Sequence, residues 1–211
     1  ELILTLDVGR TSVKACLFDR QLRQTALTSR EYALQTRGVC AEVEAQVYLD
    51  AAAQCILSLP AEARARVCAV ALTTQGETLL CVDRQGKALR PAIVWLDSRA
   101  EAQAARLAAV LDRQRFYERT GLPELSGALP LAKLLWLREQ EPESWARTDK
   151  FLLLEDYLML WLTGRAVTEK SLLTSTGYFD LQSDDYWDEA LTLAGLDRTR
   201  LPQALACGSI V

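Results

Sequence analysis

Leu2-Ile3-Leu4-Thr5-Leu6-Asp7-Val8-Gly9-Arg10-Thr11-Ser12-Val13-Lys14-Ala15-Cys16-Leu17-Phe18 opens the chain and points to its fold. Leu2 to Leu6 is a short β run, Val8 to Ser12 a turn with one glycine and two hydroxyls, and Val13 to Phe18 a second β run. Asp19-Arg20-Gln21 is the next turn, and Thr25 to Leu34 returns as a third strand, so the chain opens with a β-meander. Helical spacing follows. Val43, Val47, Ala51, Cys55 and Leu59 recur at steps of four, with Tyr48, Ala52 and Ile56 beside them, and Pro60 ends the stripe.

Beyond Pro60 the pattern alternates again. Val67 to Thr73 and Thr78 to Val82 are apolar runs of strand length, Asp83-Arg84-Gln85-Gly86 is a hairpin-type turn, and Ala92 to Trp95 is a short strand. Ser98 is placed to cap a helix carrying Ala100, Ala104, Leu107, Ala108 and Leu111. The remainder reads mainly as helix: Arg113 to Thr120 closed by Gly121, Leu131 to Glu139 between Pro130 and Pro142, Asp156 to Leu162 stopped at Thr163-Gly164, and Asp188 to Ala194 stopped at Gly195. The polar stretch Thr168 to Phe179 reads as loop or weak strand. No repeat, linker or domain boundary shows. Strands, helix, strands, then helices predict a mixed α/β fold.

Composition narrows the function. Among 211 residues, 24 Lys and Arg against 28 Asp and Glu leave a formal charge of −4, and no run of basic residues offers a nucleic-acid surface. Half of the residues are hydrophobic and 25% charged, an ordinary globular balance that argues against wholesale disorder. The absence of His removes Ser–His and Cys–His catalysis and argues against zinc. Six cysteines form no CxxC pair; Cys16, Cys55, Cys68 and Cys81 lie in apolar runs, which predicts core thiols in a reducing cytoplasm. The start turns acidic too early for a signal peptide, and Tyr157 to Leu162 is too short to cross a bilayer.

Three segments can carry chemistry. In Asp7-Val8-Gly9-Arg10-Thr11-Ser12-Val13-Lys14 a carboxylate, a hydroxyl-bearing glycine turn and a cation follow one another. Turn N–H groups and hydroxyls cradle phosphate oxygens, Lys14 can neutralise them, and Asp7 can hold Mg²⁺ directly or through water. The same octet also reads as an ordinary β-hairpin. Thr73-Thr74-Gln75-Gly76-Glu77-Thr78 is a polar tip between apolar strands that can bind polyol hydroxyls, or simply a solvated loop. In Trp95-Leu96-Asp97-Ser98-Arg99 the indole can pack on a sugar face while Asp97 and Arg99 orient it; a core Trp and a helix start are the plainer alternatives.

In type, order and spacing these segments resemble the N-terminal domain of the FGGY family of carbohydrate kinases, in particular its xylulokinase and glycerol kinase branches. DVGRTSVK is similar to the family's D-x-G-T-[TS]-S-x-[KR] phosphate motif, TTQGET to its NQRET or GQMHG segment, and RPAIVWLDSRA to its PAIxWxDxRA stretch. PLAKLLWLREQEPESWART, DYLMLWLTGR, SLLTSTGYFD and LPQAL resemble later landmarks in order, so the resemblance covers nearly the whole chain.

The resemblance implies an actin-like, ribonuclease-H-like α/β domain, a mixed sheet flanked by helices. It also implies ATP-dependent phosphorylation of a sugar, sugar acid or polyol on a primary hydroxyl. Residues 1–211 would be the sugar-binding N-terminal lobe. The nucleotide-binding domain, with the catalytic Asp, would lie outside this chain, so none of residues 1–211 is the base and the isolated chain is expected to be inactive. By the same resemblance Asp7 handles Mg²⁺, and Gly9, Arg10, Thr11, Ser12 and Lys14 face the ATP phosphates. Gln75, Gly76, Glu77 and Trp95 line the sugar pocket, with Asp97 and Arg99 supporting it. The implied partners are the sugar or polyol and the protein's own C-terminal domain, with a homodimer compatible and neither nucleic acid nor membrane expected.

Three positions depart from the pattern. Arg10 replaces a Thr, Gly76 stands where glycerol kinases have a glycerol-binding Arg, and Glu169 replaces an Asp. The ROK-type sugar kinases and actin-like ATPases are rivals within the superfold, disfavoured by WLDSRA and PLAKLLWL. A non-catalytic carbohydrate-binding or sensor protein is the rival from another class, favoured only by Arg10.

Overall fold

A computed structural model describes residues 1–211. In chain order the strands are β1 Leu2–Val8, β2 Ser12–Phe18, β3 Gln24–Glu31, β4 Gln35–Arg37, β5 Cys40–Val43, β6 Val67–Thr74, β7 Leu79–Val82, β8 Ala92–Ile93, β9 Lys150–Leu153, β10 Val167–Glu169, β11 Phe179–Asp180, β12 Asp185–Tyr186 and β13 Gln203–Leu205. The helices are α1 Ala45–Ser58, α2 Ala61–Arg64, α3 Glu101–Val110, α4 Arg113–Thr120, α5 Pro130–Gln140, α6 Pro142–Arg147, α7 Leu154–Thr163, α8 Lys170–Leu173 and α9 Asp188–Ala194. The chain divides into two compact units, one of Glu1–Gln35 with Val43–Gln75, the other of Thr36–Glu42 with Gly76–Val211. The sequence shows no boundary because the excursions between units run through strand-bearing segments, not through a Gly/Pro/Ser linker.

The first unit is a four-stranded sheet in the order β3-β2-β1-β6. β1 and β2 pair antiparallel with Asp7 opposite Lys14 and Val8 opposite Val13, and β6 joins β1 in parallel. Alternation buries Leu2, Leu4, Leu6 and Val8 of β1 and Val13, Ala15 and Leu17 of β2, while Asp7 and Lys14 are exposed. α1 packs on β2 and β3 through Tyr48, Ala51, Ala52 and Cys55. Val43 belongs to β5 and not to the helix, although it continues the step of four; the helix begins at Ala45. Cys68 is exposed on β6, contrary to the core reading of its apolar run, because this strand lies at the sheet edge.

The second unit contains a five-stranded sheet in the order β4-β5-β8-β7-β9, with β7 antiparallel to β9. Its core joins Leu79, Ile93, Leu107, Phe116, Leu134, Phe151 and Trp187. α5 packs against α3 and α9 and buries residues on every side, including Pro130, Leu131, Lys133, Leu134 and Leu137. α4 has the predicted bounds: the Asp112 side chain accepts from Arg115 N at 2.8 Å, and Gly121 closes it at φ 73°. Ser98 caps nothing; α3 starts at Glu101, and Ser98 N instead donates to Val39 O at 3.1 Å. The stretch read as loop or weak strand contains β10, α8 and β11. All six cysteines are unpaired.

Asp156 sits in the first turn of α7, almost fully buried, and accepts from Leu153 N at 2.7 Å, satisfying one free helix-terminal N–H. Burial pushes its carboxyl up to about 8; the Thr168 hydroxyl and the Leu153 amide oppose the rise, and the Glu155 and Glu169 charges add to it. Glu155 is likewise pushed up to about 7 by burial and Glu169. An unfolded chain releases the Asp156 proton near pH ~4, whereas the folded protein keeps it to about pH 8. Folding therefore binds a proton within that window, and stability falls as pH rises through it. Asp156→Asn, which keeps an acceptor for Leu153 N, should flatten this dependence. Melting curves at pH 5 and pH 8 should show the variant gaining on wild type as pH rises; equal offsets at both values would refute the buried-proton assignment.

Candidate functional site

In the first unit the turn between β1 and β2 is held tightly. Gly9 N donates to Ser12 O at 3.0 Å, Tyr32 N donates to Thr11 O at 2.9 Å, and the Tyr32 hydroxyl donates to Gly9 O. Arg10 and Thr11 are exposed at its tip, with the Asp7–Lys14 pair at its base. A methyl group on Gly9 would make only an ordinary contact, 3.6 Å from Ser12 O, and its φ is not left-handed. The fold itself does not require glycine there, whereas close approach of a ligand to the turn backbone would. Asp7, Gly9, Arg10, Thr11, Ser12 and Lys14 are thus brought together on one hairpin end.

Gln75 follows β6 in the same unit, its N–H donating to Val8 O at 2.9 Å. Its side-chain amide donates to the Tyr48 hydroxyl at 3.1 Å, and its Oε1 is buried without a partner. Tyr48 packs edge-on to Tyr32, with ring centroids 5.2 Å apart. Burial raises both tyrosine hydroxyls well above their ordinary range. Neither Tyr32 nor Tyr48 was a sequence candidate: Tyr48 reads as part of a core stripe, and Tyr32 as the end of a strand.

The second unit carries the remaining candidates. Glu77 has φ 63°, a left-handed conformation unusual outside glycine and Asn. Its half-buried carboxyl is raised by desolvation, against which the Lys133 charge and the Ser175 hydroxyl pull downward. A methyl group on Gly76 would meet Ser175 Oγ at 3.6 Å and Leu172 Cδ1 at 3.8 Å, ordinary contact distances. Trp95 is 41% exposed, which rules out the core-Trp alternative.

Asp97, two residues on, is 0% exposed. Its Oδ2 accepts from Ala41 N at 2.6 Å and from Arg99 Nη2 at 2.7 Å, and its Oδ1 from Arg99 N and Nε, both at 2.9 Å. Despite burial, the Arg99 side chain and the Ala41 and Arg99 amides hold its carboxyl below the usual range. Arg99 also pairs with Glu42 at 2.8 Å and lies over the Trp136 ring at 4.9 Å. Arg90 extends the chain of charges, reaching Glu42 at 2.6 Å and Glu141 at 2.8 Å. The Asp97 and Arg99 side chains are thus buried and engaged with one another, with the Ala41 amide and with Glu42.

Lys133, on α5, is 0% exposed and donates to Val94 O at 3.0 Å and Trp95 O at 3.4 Å. It was missed as a site residue because it stands in an apolar helix, although it is the lone charge in Pro130-Leu131-Ala132-Lys133-Leu134-Leu135-Trp136-Leu137. Glu169, the departure from the family's Asp, caps α8: its Oε2 accepts from Ser171 N at 2.8 Å and its Oε1 from Ser171 Oγ at 2.7 Å. Arg99→Leu would leave Asp97 as a buried, unpaired charge, a loss that typically costs about 3–5 kcal/mol. Denaturant unfolding should register that loss; a change under ~1 kcal/mol would mean the pair behaves as a surface salt bridge.

Residues 2–211 match the model of the FGGY family of carbohydrate kinases, N-terminal domain. A xylulose kinase of Lactococcus lactis is 31% identical over 96% of this chain and 41% of its own length. A gluconokinase of Bacillus subtilis is 27% identical over 92% of this chain and 38% of its own. The crystal structure of a xylulose kinase from Rhodospirillum rubrum superposes with a TM-score of 0.92 at 27% identity, covering 97% of this chain and 43% of that one. The chain thus has the actin-like fold and spans about two fifths of the length of the curated relatives it matches.

Proposed function

Because the chain belongs to the FGGY family of carbohydrate kinases, we propose that it is the sugar-binding part of an ATP-dependent kinase that phosphorylates a primary hydroxyl of a ketose, sugar acid or polyol. The observation that carries this reading is the contrast within one segment: Trp95 offers an exposed indole face while Asp97, two residues on, is locked into a buried ion-pair network. That is how a flat apolar platform is held rigid for a sugar ring or chain. Glu77, half-buried on the strand-connecting loop, supplies a carboxylate acceptor for sugar hydroxyls. Gly76 carries no side chain where glycerol kinases have an Arg, so an acceptor longer than glycerol is favoured.

The Gly9–Ser12 turn, with Arg10 and Lys14, is assigned to the phosphates of ATP. Asp7, a single exposed carboxylate at the base of that turn, suits Mg²⁺, which takes one or two carboxylates and fills its remaining positions with water and phosphate oxygens. Bound there, Mg²⁺ supplies charge neutralisation at the transferred phosphoryl group. The turn's own contribution is positional: Tyr32 fixes the carbonyls of Gly9 and Thr11, which sets the direction of the intervening N–H groups. No residue of this chain is assigned as the base; a second domain carrying nucleotide and base is part of the proposal. Six unpaired thiols suit a reducing compartment such as the cytoplasm.

In the full-length protein, Glu77→Ala should weaken binding of D-xylulose or D-gluconate, whichever is accepted, by about 1–3 kcal/mol with little change in ATP affinity. Unchanged sugar titrations would refute the pocket assignment. Asp7→Asn should lower kcat by on the order of 10² with a small effect on sugar KM, and near-normal turnover would remove the phosphate role of the turn. Sugar binding without any ATP-dependent turnover would favour a non-catalytic sugar-binding protein.

A further inference from the structure

The first eight residues of α5 are buried save for a partly exposed Trp136, and Lys133 is the only charge among them. A buried ammonium is expensive unless its charge is compensated, and an apolar side chain of similar volume is commonly at least as stable in such a place. Two of its three N–H groups are accounted for by the Val94 and Trp95 carbonyls. Its charge is balanced by two carboxylates, Asp97 and Glu77, and opposed by Arg99. Of the two carboxylates, Asp97 is already engaged by Arg99 and the Ala41 amide. Glu77 has no arginine of its own: the groups that favour its ionised form are Lys133 and the Ser175 hydroxyl. One buried ammonium therefore bonds the backbone that carries the exposed indole and is the cation acting on the half-buried carboxylate of the neighbouring loop.

We infer that Lys133 is a positioning residue of the proposed sugar site, fixing the Trp95 backbone and supplying the positive charge that keeps Glu77 an ionised acceptor for sugar hydroxyls. This rests on the reading of Glu77 and Trp95 as sugar-binding. Removing an opposite charge makes a carboxylate easier to protonate, and a protonated Glu77 would accept fewer hydroxyl hydrogen bonds. The groups acting on the pair are Glu77 and Ser175 from the loops, Asp97 and Arg99 from the segment after β8, and Lys133 from α5. Desolvation also pulls the ammonium itself down, to about 8.

The test uses the full-length protein with D-xylulose and D-gluconate as probes, following sugar KM and kcat from pH 5.5 to 8.5. Lys133→Met should raise sugar KM on the order of tenfold at the acid end and much less at pH 8.5, with kcat at saturating sugar within about twofold. Lys133→Gln, which keeps a donor for the two carbonyls, should show the same pH-dependent shift and serves if the Met variant does not fold. Glu77→Gln combined with Lys133→Met should abolish the acid limb that Lys133→Met alone introduces. A lowered melting temperature with an unmoved pH profile in the Lys133 variants would make this lysine a packing residue only and overturn the inference. An acid limb that persists in the Lys133→Met, Glu77→Gln double variant would overturn it as well. Failure of the sugar-site reading itself is distinguishable, because then Glu77→Ala leaves sugar affinity unchanged.

Discussion

The carboxylate of Asp97 is the point on which the second unit is organised. It has no solvent exposure, yet it stays ionised because Arg99 grips both of its oxygens and the Ala41 amide donates to one of them. From Arg99 the charges alternate outward through Glu42 and Arg90 to Glu141. This chain of ion pairs ties β5, the segment after β8 and the end of α5 together. The arginine side chains are only 7–8% exposed, so solvent and salt screen these contacts far less than surface pairs. Such a network is a poor source of raw stability, since desolvation offsets much of its attraction. Its value is directional: it fixes the Asp97 and Arg99 side chains relative to Ala41 and Glu42.

Two other ionisable groups are buried nearly as deeply, and burial pushes each toward its neutral form. Asp156 rises, with a single amide for Oδ2 and like charges nearby. Burial brings Lys133 down only to about 8, because the Asp97 and Glu77 charges oppose the fall. The difference lies in the neighbours. Asp156 completes a helix start, which a neutral carboxyl can do, whereas the Lys133 charge acts on Glu77, a carboxylate whose proposed work depends on charge.

Much of this was legible in the residues. The opening hairpin follows from alternation around a glycine turn, and α4 and α9 follow from their glycine stops. The order of the motifs carried the family. Other features were hidden for physical reasons. Val43 keeps a helical spacing yet lies in a strand, because β5 runs almost directly into α1. Cys68 looks like core because edge strands carry the same apolar residues as central ones. The left-handed backbone of Glu77 has no signature in a non-glycine residue. The buried Asp97–Arg99 pair is completed by Ala41 and Glu42, more than fifty residues earlier, and no local pattern reports such a contact.

The claim that unites these observations is that sugar recognition rests on the half-buried Glu77 carboxylate and the exposed Trp95 indole, held by a buried charged frame. A crystal structure of the full-length protein with bound D-xylulose, or D-gluconate if that is the accepted substrate, tests it most directly. The account predicts sugar hydroxyls within hydrogen-bond distance of the Glu77 carboxylate and a carbon face of the sugar against the Trp95 indole. Asp97 should remain bound to Arg99 and the Ala41 amide, without touching the ligand. A sugar held by Asp97 itself, or one that leaves Glu77 and Trp95 uncontacted, would contradict it.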